Sequence, residues 1–298
     1  MSHTNVLLAT LSMSAWSAKK HDKKISREVA ADHGATEKVG RYNKNLMPFE
    51  AASYQLCHDL RSQARAFFNN ETMPWLDQDG TRIVASTNFL NLSNAMRERR
   101  NAIENADRAF FDEAPRLFDF AKQHLNGMWR AEDYPSGKKL EKKFSFSLKF
   151  FPMPDATDFR VEELTEEVKQ QAAADIQQGI ESAIGDLWQR LDQVVAHMGS
   201  RLANKKTCEC RACKGREFRT DTFNDTLVEN VREVCEIIPR LNFTADPKLE
   251  EYRQQVVAGL AAFEPQQLRD SETLRETIAA RAEQIQREMA IFMPGGAI

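Results

Sequence analysis

One periodic run constrains this chain more than any other feature. Apolar residues recur every three or four positions at Leu164, Val168, Ala172, Ile176, Ile180, Ile184, Leu187, Leu191, Val194, Met198 and Leu202. That spacing puts them on one stripe of an α-helix. A helix over residues 162–203 would be roughly 60 Å long. Few globular helices reach that length, so the run predicts a helical bundle or a coiled-coil arm. Gly179, Gly185 and Gly199 interrupt it. Each either weakens the helix or lets a neighbour pack close.

Three helices are expected to follow as antiparallel partners. Asn224 or Asp225 starts one carrying Leu227, Val231, Val234 and Ile238, stopped by Pro239. Asp246-Pro247 joins an N-cap to a first-turn proline and begins a second, through Leu249, Tyr252, Val256, Leu260 and Phe263. Pro265 or Ser271 starts the last, which runs to Phe292 before Pro294-Gly295-Gly296.

The first half mixes periods. Asn5–Ala15 alternates as a strand, and Lys143–Phe150 does so strictly, with Phe144, Phe146, Leu148 and Phe150 on one face. A short third strand is expected at Arg82–Ala85, after the Asp79-Gly80 turn. The first strand should pair with the distant one near residue 146. Helices are expected from a Ser26 cap to His33, over 48–69 with Ala52, Leu56, Leu60, Ala64 and Phe67 inward, and over 87–125 with a break or kink at Pro115. Residues 126–142 read as a loop. The fold class is therefore α+β, predominantly α-helical: a small antiparallel sheet plus a long helical bundle or coiled-coil arm. The expected division is a globular part over 1–152 and a helical part over 158–294.

Composition narrows the functional classes. The 298 residues hold 41 basic and 44 acidic side chains, a net charge of −3. No global polycationic signature marks a nucleic-acid or membrane-surface protein. Mean hydropathy is −0.56, and no run of 18 apolar residues exists to span a bilayer. Met1–Asn5 lacks a signal peptide's basic start and apolar core, so the cytoplasm is the expected compartment. Without secretion the five cysteines are no disulfide framework.

Near-neutral charge hides segregation. Residues 155–200 carry ten acids against three bases, whereas 201–219 carry seven bases against two acids. An acidic stalk thus ends in a basic tip. Lys205, Lys206, Arg211, Lys214, Arg216 and Arg219 are the candidate contacts for an acidic protein or for nucleic acid. Phe218 and Phe223 are the aromatics at hand for base stacking. The plain alternative is a solvated hairpin turn.

The same tip holds Cys208, Cys210 and Cys213 in a C-x-C-x-x-C pattern. Thiolates this close can share one Zn²⁺, which takes four N or S ligands. Cys235 and His197 are the nearest candidates for the fourth. A second C-x-x-C pair is missing, and free thiols are the alternative. No catalytic residue is assigned, because Walker A, G-x-G-x-x-G, H-E-x-x-H and G-x-S-x-G motifs are all missing. An enzyme of unrecognised class would need a polar pocket with converging titratable groups where sheet meets helices. A second place to look is Trp16 with Lys19, Lys20, Lys23 and Lys24, beside Arg41, Tyr42 and Lys44. Bases beside aromatics suit phosphates. Otherwise Trp16 and Tyr42 simply seal the core edge.

The strand leading into Trp16-Ser17, the Gly40–Pro48 stretch, Phe150-Pro-Met-Pro-Asp-Ala-Thr-Asp-Phe-Arg160 and Leu187-Trp188 in the long helix carry a resemblance. Over most of its length the chain resembles an uncharacterised family of phage and prophage proteins, a domain of unknown function. Its members are often encoded beside a MoxR-type AAA+ ATPase and a cobaltochelatase-like von Willebrand factor A protein. By association, the resemblance implies a partner or client of that ATPase system, and the leading expectation is a non-enzymatic phage protein acting through protein–protein contacts in the host cytoplasm. Self-association along the helices is also expected. The resemblance supplies no catalytic residues and does not extend to the cysteine loop.

Overall fold

The computed structural model describes residues 5–36, 38–47, 51–76, 80–154, 166–203, 205–207, 217–219 and 224–293. In chain order come β1 (Val6–Ser14), β2 (Lys19–His21), α1 (Lys23–Asp32), β3 (Asn43–Asn45), α2 (Ala52–Asn70), β4 (Met73–Pro74) and β5 (Thr81–Ala85). Then follow α3 (Phe89–Leu125), α4 (Lys138–Glu141), β6 (Ser145–Pro152), α5 (Glu166–Ala203), β7 (Lys205–Thr207) and β8 (Glu217–Arg219). The chain continues with α6 (Thr226–Leu241), α7 (Pro247–Val256), α8 (Pro265–Asp270) and α9 (Glu272–Met289). The fold is α+β and mostly helical, with a small antiparallel sheet.

That sheet has the order β4-β5-β1-β6, so the first strand does neighbour the one near residue 146. β1 runs antiparallel to β5, from Val6 opposite Ala85 to Thr10 opposite Thr81. Two ribbons accompany it, β2–β3 and β7–β8. Alternation does not mark β2 and β3, because their residues are polar throughout.

Contacts divide the chain into two units that interleave in sequence. The first takes the chain up to Thr10, Asn69–Asn91 and Phe150 onward. Here α5 packs against α6, α7 and α9 as a helical bundle. Ile176, Ile180, Leu187, Leu191, Met198 and Leu202 of the periodic stripe are buried, joined by Trp188 and Val195. Val168 is exposed, and Leu164 lies outside the described residues. Gly179 and Gly199 mark close approaches. A Cβ at Gly179 would lie 2.5 Å from the Trp75 ring, and one at Gly199 would lie 3.2 Å from Ala282 Cβ.

Pro239 does not stop its helix, and Pro115 does not break α3, since both lie inside helices. Each proline removes one backbone bond and crowds the preceding turn. Burial on both sides, at Ala114 and Leu117 and at Ile238 and Leu241, offsets that cost. The helix expected to continue to Phe263 instead gives way to a π-helical turn at Val257–Ala261. Pro265 and Ser271 prove to start separate helices.

Asp246 caps α7 as its sequence suggests. One oxygen accepts from the Lys248 and Leu249 amides, at 2.9 and 3.3 Å. The other accepts from the indole Nε1 of buried Trp188, at 3.1 Å. Asp246→Ala is expected to cost about 1 kcal/mol for the cap alone. Urea unfolding would read it as a lower midpoint at unchanged slope, and Asp246→Asn should recover most of the loss.

The second unit takes Leu11–Phe68 and Leu92–Lys149. Its core joins Trp16, Leu46, Cys57, Phe110, Leu117 and Leu140. Trp16 meets Tyr54, Phe118 and Tyr134 edge-on, so it does seal core, whereas Tyr42 stays exposed. The buried face of α2 is not the expected one. Cys57, Arg61, Ala64 and Phe68 point inward, and Leu56 is 48% exposed. Ala64 is common to both faces, and Arg61 lies on the buried one.

α1 is capped by Asp22 rather than Ser26. The Asp22 side chain accepts from the Lys24 and Ile25 amides. Ser26 instead sits inside the helix, buried. The stretch expected as a loop over 126–142 contains 3₁₀ turns at Asn126–Met128 and Ala131–Asp133, and then α4.

Candidate functional site

The basic tip begins directly after α5. β7 and β8 form an antiparallel ribbon with Lys205 opposite Arg219, Lys206 opposite Phe218 and Thr207 opposite Glu217. Three of the six candidate bases therefore occupy paired positions. Arg211, Lys214 and Arg216 lie outside the described residues, as do Cys208, Cys210 and Cys213.

Cys235 lies on the inward face of α6, buried with Val231 and Ile238. Burial pushes its thiol up to about 11, against the nearby Arg253. A zinc ligand must be the thiolate, and this environment opposes it. His197 is exposed on α5. Among the described residues, no group of three or more His, Cys, Asp and Glu side chains is placed to hold a metal ion. Cys57 is likewise buried, its thiol pushed up to about 12 by desolvation and then by Asp107. In native protein at pH 8, Cys57 and Cys235 should resist alkylation by iodoacetamide and react only after denaturation. Peptide mapping of the labelled sites checks this.

The second unit holds a cleft of about 490 Å³. Its walls are the β2–β3 ribbon, the first turns of α1 and residues 127–133. Lys44 reaches inward from β3 and is only 4% exposed. A buried ammonium persists only when paired, and this one is. Its Nζ lies 2.6 Å from Asp133 Oδ2 and 3.7 Å from Asp22 Oδ2, and it donates to the Met128 carbonyl at 2.8 Å. Lys20 Nζ lies 3.7 Å from the other Asp133 oxygen.

Asp22 is held below the usual carboxylate range. The Ile25 amide is the main cause; Lys44, the Lys24 amide and Arg130 add to it, while desolvation opposes. A depressed folded value means this stabilisation is full above about pH 4, the unfolded carboxylate range, and fades as pH falls through the folded value. The acid limb of the stability profile should therefore be shallower for Asp22→Asn than for wild type.

His21 and Ser26 lie beside this cleft, with Nε2 3.0 Å from Oγ. The pair superficially suits an activated nucleophile. The hydroxyl, however, already donates to the Asp22 carbonyl at 2.7 Å and accepts from the Tyr42 amide at 3.0 Å. With its proton committed, it can only accept from His21, and its capacity is then full. The Ser26 group fastens α1 to the ribbon.

A second cavity, of about 340 Å³, lies in the first unit. Arg82 and Arg190 share it and cap the end of α2. Both donate to the Asn69 and Thr72 carbonyls, and Arg190 also to that of Asn70. Asp186 pairs with Arg190 at 2.8 Å. Burial, then the Arg190 charge, lowers the Arg82 pKa. The arrangement satisfies helix-terminal carbonyls and leaves these donors committed.

Sequence reasoning singled out Lys44 and Lys20 but missed Asp22, Arg130 and Asp133. The cap at Asp22 was legible as an acid just before a helical run. Asp133 lies in a stretch without periodicity, far from Lys44 in sequence, and carries no such signal. Among the described residues, no helix is long and apolar enough to cross a membrane. Comparison of the chain with family models, with curated proteins and with solved structures finds no match.

Proposed function

We propose that the chain is a non-enzymatic, phage-type binding protein that offers residues 201–219 to an acidic protein partner. The AAA+ ATPase and the von Willebrand factor A protein implied by the family resemblance are the first partners to test. The β7–β8 register carries the reading, because it sets Lys205 opposite Arg219. Residues 201–219 carry seven bases against two acids. An acidic partner offsets that local excess on binding and steers encounter through charge. In the cleft, Asp133 and Asp22 are engaged by Lys44, with Lys20 at the other Asp133 oxygen, which favours binding over proton transfer by these carboxylates.

Affinity purification from infected cells with nuclease treatment is the test. The partner should survive nuclease and be lost when Lys205, Lys206 and Arg219 are changed together to Gln. A partner retained by that variant would sink the tip as the contact. Size-exclusion chromatography with light scattering reads self-association along the helices in the same samples.

A second reading uses the same charges on nucleic acid, with Phe218 and Phe223 as the aromatics at hand in the sequence for stacking. It expects binding that weakens steeply with salt, with the slope reduced by roughly one for each phosphate contact removed. Loss of the captured partner on nuclease treatment would favour it. For zinc, Cys208, Cys210 and Cys213 would supply three thiolates, with a ligand other than the buried Cys235 as the fourth. Metal analysis of purified protein should give about one equivalent per chain, reduced by Cys208→Ser. A content unchanged by that substitution would rule the cluster out.

A further inference from the structure

We propose that the cleft bounded by the β2–β3 ribbon, the start of α1 and residues 127–133 binds a small phosphate-bearing ligand through Lys20, Lys23 and Arg130. This goes beyond partner binding at the tip and uses residues of the other unit.

Of the acids lining the cleft, Asp133 faces Lys44 and Lys20, and Glu28 pairs with Lys24 at 3.7 Å. Asp22 has one oxygen on two α1 amides and the other toward Lys44. Only Glu132 lacks a cation among the described residues. Among the bases, Lys44 is fully engaged. Lys20 has a long contact to a carboxylate that Lys44 holds more closely. Lys23 has no acidic partner among the described residues, and Arg130 is bonded through one nitrogen to the Gly127 and Trp129 carbonyls alone. The walls therefore carry five bases against four acids, and Lys23 and Arg130 are the cations without a carboxylate partner among the described residues.

A second observation agrees. The Asp22 carboxylate is seated at this wall, with one oxygen on the Lys24 and Ile25 amides and the other toward Lys44; the Ile25 amide chiefly holds it below the usual carboxylate range, and Lys44, the Lys24 amide and Arg130 add to that. Arg130 keeps guanidinium donors free for phosphate oxygens, and Lys20 and Lys23 add mobile ammonium groups. The cleft's volume suits one small ligand, not a polymer.

Titration calorimetry of the full chain at low salt, with pyrophosphate as the probe, tests the proposal. Saturable binding is expected, with Kd raised about tenfold by Arg130→Gln and again by Lys23→Gln. Both side chains are exposed, so melting temperatures should be unchanged and a folding defect can be told apart. Lys19→Gln, on β2 but outside the cleft lining, is the control and should bind as wild type. Changing Lys205, Lys206 and Arg219 to Gln should also leave pyrophosphate binding intact, whatever it does to a protein partner. No saturable binding would overturn the proposal, as would equal Kd values in wild type and the cleft variants. Loss of binding in the tip variant would assign the phosphate to residues 201–219 instead. An oligonucleotide bound through Lys23 and Arg130 while pyrophosphate is ignored would also overturn it, in favour of a polymer.

Discussion

Asp107→Asn is expected to destabilise the protein by about 3–5 kcal/mol, the cost of leaving one member of a buried ion pair alone. Arg61 and Asp107 are only 7% and 8% exposed. Their contact is bidentate, with Nη1 2.8 Å from Oδ1 and Nη2 2.7 Å from Oδ2. Arg61 also donates to the Ser14 carbonyl through Nε and to the Cys57 carbonyl through Nη1, and Phe144 lies under the guanidinium at 5.2 Å. One side chain thus ties β1, α2 and α3 together. Removing the carboxylate leaves a full charge in a core of Cys57, Ala64 and Phe68. Arg61→Met should cost a comparable amount by stranding Asp107 and two carbonyls. The combination Arg61→Met with Asp107→Leu should be milder than the sum of the two single changes. Urea midpoints of the four proteins form the cycle. Additive single effects would show that the pair is not a coupled unit.

Gly179→Ala should also destabilise, by about 1–3 kcal/mol from overpacking. The sign is the informative part, because alanine is worth about 1 kcal/mol more than glycine in a helix interior. Here the added Cβ would come 2.5 Å from Trp75 Cζ3 and 2.7 Å from Cε3. Trp75 is itself buried in the core of the first unit, so the ring has little room to yield. Trp75→Leu in the same background should restore much of the loss, since a smaller side chain vacates the space. A stabilised Gly179→Ala protein would mean that the ring moves freely. Gly127, with no neighbour within 4 Å of its would-be Cβ, makes a contrasting site.

Much of the architecture was legible because it follows from local periodicity. The stripe from Ile176 to Leu202 demanded a long helix with one buried face, and α5 supplies it over 38 residues. Alternation identified β1 and β6, and Asp246-Pro247 announced α7 by cap chemistry. Charge segregation was read from counting, and the β7–β8 register then set two of its bases opposite each other. The misreadings share one cause. Ser26 looks like a cap and Pro239 like a stop when only neighbours in sequence are weighed. Burial and hydrogen bonds from elsewhere outweighed both.

The long helices and the strands β1, β5 and β6 follow from the sequence alone, because hydrophobic period and capping are properties of consecutive residues. Tertiary structure alone decided which charges go inside. Arg61 and Lys44 read as surface residues until Asp107 and Asp133 are brought to them, because a charge leaves water only where a distant partner and several carbonyls replace its hydration. It also decided what the glycine of the long helix is for. Gly179 reads as a weak point of the periodic run, and the fold makes it the place where Trp75 lies against the backbone.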